Sequence, residues 1–189
     1  MARVRVRQHV NPLSQQYQTP TPPPNWEEVF ACSQQPLFLD IGCARGRFVL
    51  EMAQAWPEMN FLGVEIREPL VIEANQKRDR EGLTNLHYGF SNINVDVPIL
   101  LASLPQGVLH TVAIQFPDPW FKKRHAKRRI VQPELVEAVA KYLPAGGQVF
   151  LQSDMEFVAV EMRDRFLAHP NFIPKHDSLW LAENPFPSR

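Results

Sequence analysis

Cysteine is almost absent from this 189-residue chain: there are two, Cys32 and Cys43. Two thiols so placed make no disulfide framework, and their spacing matches no metal site. The six histidines are scattered without ligand spacing, so no metal centre is expected. Long apolar runs are missing too. None approaches the roughly 18 residues of a membrane span, and the first residues hold no signal-like apolar stretch. Net charge is absent: 20 Lys and Arg balance 20 Asp and Glu, so bulk charge does not advertise a polyanionic partner. There is no internal repeat. A reduced, cytoplasmic protein of one domain is expected, large enough to bury a core, without a membrane partner, and monomeric or weakly homodimeric.

What is present is unevenly distributed. Six basic residues fall within 122–129, and Arg3, Arg5 and Arg7 alternate with valine near the start. A local patch of this kind binds phosphate although the whole molecule is neutral. Residues 1–24 read as a flexible basic and proline-rich arm, with Thr19-Pro-Thr-Pro-Pro-Pro24 as a polyproline-like spacer, and residues 25–189 as the folded domain. Asn25 and Glu28 resemble a helix-capping pair, predicting a helix over about 26–33.

From residue 37 the pattern alternates. Strands are predicted at 37–41, 60–66, about 85–90, 109–116 and 148–152, with a sixth at about 172–176. Helices are predicted at about 47–56, 68–81, 97–104, 133–143 and 156–169. This order gives an α/β fold, a mostly parallel sheet with helices on both faces. Such sheets take ligands in the crevice beyond the carboxyl ends of the strands. Asp40, Glu65, Asn92, Asp118 and Asp154 all fall at such ends.

Asp40-Ile-Gly-Cys-Ala-Arg-Gly46 is a strand-to-helix glycine loop. Gly42 permits the turn and Gly46 a close approach at the helix start. The dinucleotide pattern G-x-G-x-x-G is not met, because its second glycine is Ala44 and its third Arg47. An adenosine ligand without phosphates fits better. Glu65 can accept from two ribose hydroxyls, Asp40 can face an ammonium-bearing tail, and Asn92 can bond an adenine edge. S-adenosylmethionine has that shape and charge.

The segment Phe116-Pro-Asp-Pro-Trp-Phe-Lys-Lys-Arg-His-Ala-Lys-Arg-Arg129 sets one acid between two prolines and then a basic run. The prolines fix torsions around Asp118, which suits a group whose orientation matters at a reacting centre. Lys122 can hold a phosphate or ribose near it. Arg124, Lys127, Arg128 and Arg129 can attract further backbone. Trp120 and Phe121 offer faces for base stacking or for the core. From the residues alone, a methyltransferase on RNA, one on a small molecule, and a non-catalytic RNA-binding module all remain open.

The motif at 116–129 resembles the signature of the tRNA (guanine-N7-)-methyltransferase family. Asp40-Ile-Gly-x-x-x-Gly46, Gly63-Val-Glu65 and Gln152-Ser-Asp154 are similar to its other segments in order and distance, over about residues 37–160. Arg7-Gln-His-Val-Asn-Pro12 resembles some members' N-terminal arm more loosely. The resemblance implies a Rossmann-like class I fold that methylates guanine N7 in tRNA, typically at position 46 of the variable loop. It implies that Asp40, Glu65, Asn92 and Asp118 line the cofactor and reaction site, and that Lys122 and Asp154 touch substrate. Asn92 stands where many members have an acid. Members also continue beyond Asn184-Pro-Phe-Pro-Ser-Arg189 through a Thr-x-x-Glu segment and a final antiparallel strand. Either a C-terminally truncated chain or a shortened member with impaired activity is expected, and of the two a longer native protein.

Overall fold

The computed structural model describes residues 6, 9–178 and 180–186. Arg3, Arg5 and Arg7, the alternating basic segment, lie outside the described residues. Five strands are present among the described residues: β1 (Leu37–Ile41), β2 (Asn60–Glu65), β3 (Leu86–Phe90), β4 (Leu109–Gln115) and β5 (Gln148–Gln152). They form one parallel sheet in the order β3-β2-β1-β4-β5. Six α-helices among the described residues connect or flank them: α1 (Trp26–Val29), α2 (Arg47–Ala55), α3 (Glu68–Glu81), α4 (Ile93–Ser103), α5 (Pro133–Tyr142) and α6 (Glu156–Leu167).

The alternation along β1 explains the layers. Leu37, Leu39 and Ile41 belong to one core with Val97 and Leu101 of α4, Leu135 and Val139 of α5, and Met162 of α6. Phe38 points to the other core, with Val49 and Met52 of α2, Val71 and Ala74 of α3, and Tyr88. Side chains of period two thus divide a doubly covered sheet. The helix after β1 covers one face and the helix after β4 the other, so the chain reverses its winding between these two neighbouring strands. Their carboxyl ends open into a crevice there.

Local punctuation set most boundaries. Pro69 lies in the first turn of α3, and Gly82 ends that helix at φ +66°. α1 is shorter than expected; Asn25 caps it through Glu27 N, but it stops at Val29. The sixth strand is a correction: Phe172–His176 is irregular. Pro174 lacks a backbone donor, and Phe172 packs edge-on against Phe166 at 5.1 Å, with no strand beside it among the described residues. β5 is consequently an edge strand, each of its residues only partly buried. No helix among the described residues is long and apolar enough to cross a membrane.

Within residues 9–24, part of the stretch expected as a flexible arm, His9, Pro12, Tyr17 and Thr21 bond to the domain. Thr21 N donates to Asp96 Oδ1 at 2.9 Å, and the buried Asp96 also accepts from Ser91 Oγ. Gln15–Tyr17 forms a turn of 3-10 helix.

Candidate active site

The glycine loop after β1 is built by three residues with positive φ: Gly42 (+81°), Ala44 (+51°) and Gly46 (+66°). Gly42 N and Cys43 N both donate to Val64 O, which ties the loop to the end of β2. Gly46 is where absence of a side chain matters most. A Cβ there would lie 2.1 Å from the Tyr88 ring, whose hydroxyl donates to Gly46 O at 2.6 Å. The close approach expected at Gly46 is therefore one with Tyr88, which braces the loop from β3. Spacing rules gave no sign of this partner.

Glu65 ends β2 nearly fully buried. Its Oε2 accepts from Ala44 N and from Arg67 Nη2, and its Oε1 from Arg67 N and Nε, all within 2.9–3.0 Å. A carboxylate has about four acceptor positions, and these contacts fill them. A diol ligand must displace the Arg67 guanidinium, leaving the two backbone donors to orient the carboxylate. Arg67, absent from the sequence reading, is held in its charged form above the ordinary range, chiefly by the hydrogen bond to Glu65.

Asp40 lies near the end of the neighbouring β1, buried, where Gln115 Nε2 donates to its Oδ1 at 3.2 Å. Burial pushes its carboxyl up to about 7, against the Gln115 hydrogen bond and with help from the Glu65 charge. A cation arriving nearby would favour the ionised form. Cys43 is likewise held as a thiol by burial and by the Asp40 and Glu65 charges.

The crevice encloses about 130 Å³ and is lined by Gly42, Glu65, Arg67, Asn92, Asp118, Trp120 and Arg128, among others. It brings Glu65, Asn92 and Asp118 together. Asp40 and Gly46 are not among its lining residues, and Asp154 is exposed just past β5, also outside the lining. Asn92 departs from expectation in its partners. Its Nδ2 donates to Pro12 O and Tyr17 O, both at 2.9 Å, so its donor capacity is spent on the arm.

On both sides of Asp118 the chain turns sharply, with Phe116 at φ +47° before it and Trp120 at φ +43° after it. Such values are uncommon for bulky residues. A 3-10 helix, Lys123–Arg128, carries the basic run, and its last residue, Arg128, reaches the crevice. Lys122, Lys123, Arg124 and Lys127 are exposed. Arg128 lies 4.9 Å from the centre of the Trp120 ring and lines the crevice. Arg129 belongs to a different set from the expected phosphate-facing cations. It turns inward, donating to Pro119 O and Trp120 O and pairing with Glu161 of α6. It thus pins the acid segment to the domain; charge counting could not separate an inward arginine from its outward neighbours. His125 is lowered by local desolvation and then by the Arg128, Arg124 and Lys122 charges.

The profile of a family described as "Putative methyltransferase" matches residues 34–189. The chain is 64% identical over 187 residues to the tRNA (guanine-N(7)-)-methyltransferase of Microcystis aeruginosa, covering 99% of this chain and 89% of that one. It is 66% identical to the protein of the same name from Trichormus variabilis, with coverage of 97% and 86%. The corresponding Synechocystis protein is 61% identical, with coverage of 98% and 87%. Among solved structures, precorrin-6y C5,15-methyltransferase from Geobacter metallireducens shares the fold. It has a TM-score of 0.55 at 14% identity and covers 72% of this chain and 62% of its own.

Proposed function

The chain belongs to the tRNA (guanine-N(7)-)-methyltransferase family, and from that premise we propose how its own residues carry the reaction. The protein is a methyltransferase of the Rossmann-like class I fold that modifies guanine N7 in tRNA. We place the acceptor guanine in the variable loop, at position 46, and the work in the cytoplasm. The single observation that carries the site assignment is the convergence of Glu65, Asn92 and Asp118, from three separate strand ends, on one crevice.

S-adenosylmethionine supplies an electrophilic methyl group when bound. The residues present fit it. Glu65 has acceptors occupied by a displaceable guanidinium, and Asp40 is a buried carboxyl whose ionisation a cationic tail would favour. Gly42 offers an uncluttered loop backbone at the crevice wall. Asn92 retains its carboxamide oxygen toward that wall only as an acceptor, since both amide hydrogens go to the arm.

Neutral guanine N7 has an available lone pair, so no proton must leave before attack. Methylation puts positive charge on the purine. Asp118, held between Pro117 and Pro119, stabilises that charge as it develops and is not required as a base. Alignment of the acceptor with the reacting carbon supplies much of the remaining acceleration. The direct test replaces N7 of the acceptor guanine by carbon.

Lys122, Lys123, Arg124 and Lys127 form the grip on tRNA backbone; Arg128 is closer to the base, against Trp120. Replacing those four exposed residues by alanine is expected to weaken binding and to lower the slope of log affinity against log salt by about 2–3. Filter binding between low and moderate salt measures it. Unchanged affinity across that range removes the basic run from the interface. Arg129→Ala should behave differently, lowering the melting temperature through loss of its inward contacts.

A further inference from the structure

Asp118 differs from the buried Asp40 and Glu65: among the described residues its side-chain hydrogen bond comes from the arm, and Arg67 of the domain acts on it through charge. Pro117 and Pro119 fix its backbone, but its carboxylate is 38% exposed. The partner that holds it comes from 109 residues away: His9 Nδ1 lies 2.8 Å from Asp118 Oδ1. A carboxylate only accepts, so the imidazole Nδ1 carries the hydrogen and donates.

His9 reaches this place because the following segment is fastened. Asn92 Nδ2 donates to the carbonyls of Pro12 and Tyr17. Between those two points the chain closes on itself, with Ser14 N donating to Asn11 O and Tyr17 N to Ser14 O. Gln18 Nε2 also returns to Pro12 O at 2.6 Å. Val10 and Pro12 then form part of the crevice wall with Glu65 and Asp118. Two carbonyls on one side chain need a group with two hydrogens to give. An amide at position 92 supplies them, whereas a carboxylate would offer only acceptors to acceptors.

We propose that His9 is a positioning residue for Asp118, delivered by an arm that the Asn92 carboxamide latches across the crevice. The inference rests on Asp118 belonging to the reaction centre. His9 fixes which carboxylate oxygen faces the incoming base, leaving the other free for the charge that develops on the purine. The pair is exposed, so its contribution to folding is small; its effect is on orientation. Asn92 thereby works on the arm as well as on the crevice.

The test compares His9→Ala, His9→Asn and Asp118→Ala in the full chain, with methyl transfer to tRNA measured at steady state. His9→Ala is expected to lower kcat about tenfold while KM for tRNA and donor stays within about twofold. His9→Asn, whose amide can donate from near the Nδ1 position, should recover most of kcat. An arm that merely supported the fold would give no such recovery and would move KM as well. Wild-type kcat in His9→Ala alongside an inactive Asp118→Ala overturns the proposal. Wild-type kcat in Asp118→Ala instead overturns the site assignment beneath it. Asn92→Asp reports on the latch through hydrogen exchange of the Tyr17 and Gln18 amides, which should quicken. Unchanged exchange there removes Asn92 as the fastening.

Discussion

Asp118→Ala is expected to reduce kcat for tRNA methylation by about 10²–10³-fold, the range found when one preorganised electrostatic group is removed from a reacting centre. Affinity for tRNA should change by less than about twofold, because the exposed cations of the neighbouring helix carry most of that binding. The physical reason is the sign of the charge that appears. Attack through a neutral nitrogen turns an uncharged purine into a cation, and a carboxylate fixed beside it is favourable only after the bond begins to form. Such a group acts on the transition state and little on the ground state. Asp118→Asn separates charge from position. It keeps an acceptor for His9 at nearly the same place, so a loss close to that of alanine assigns the effect to charge. Single-turnover rates with saturating tRNA are the readout. A mutant within about threefold of wild type would remove Asp118 from the chemistry.

Gly46→Ala has the largest expected effect on stability. Two costs coincide there. The backbone sits at φ +66°, where a side chain costs roughly 1–2 kcal/mol, and the added Cβ falls 2.1 Å from the Tyr88 ring. Tyr88 is itself buried in the core between β3 and α2, so it has little room to yield. Overpacking of this type costs roughly 1–3 kcal/mol more, for a total of about 2–5 kcal/mol. In a domain of this size that lowers the melting temperature by about 5–15 °C. Gly82 provides the control. Its φ is also +66°, but nothing lies within 4 Å of a Cβ there. Gly82→Ala should pay the backbone cost alone. Equal melting temperatures for the two variants, by calorimetry or circular dichroism, would mean that the ring does not brace the loop.

The alternation of strands and helices was legible because its signals are local. β1 and β5 fall where short apolar runs meet turn residues, and α3 runs from Glu68 to Glu81 with Pro69 in its first turn and Gly82 at its end, as its punctuation required. The same local reading failed at Phe172–His176, since a strand needs a neighbour and the sequence does not say whether one is there. Within the crevice, Glu65, Asn92 and Asp118 were legible as polar residues closing apolar strands. Their partners were not. Arg67 on Glu65, Tyr88 under Gly46 and Arg129 on Glu161 depend on which way a side chain turns. The arm is the sharpest case. Its contacts span 75 to 109 residues, so a proline-rich stretch that reads as spacer is fixed by partners no periodicity can reveal.

The most direct measurement is methyl transfer to two transcripts of one tRNA, identical except that the variable-loop guanosine of the second is 7-deazaguanosine. The carbon at that position has no lone pair to attack with, while the Watson–Crick face and the tRNA shape are retained. One methyl is expected per guanosine transcript, recovered as 7-methylguanosine on digestion. None is expected in the 7-deaza transcript, which should still bind with the affinity of the first. Equal incorporation in both would place the methyl on another atom and contradict attack by N7.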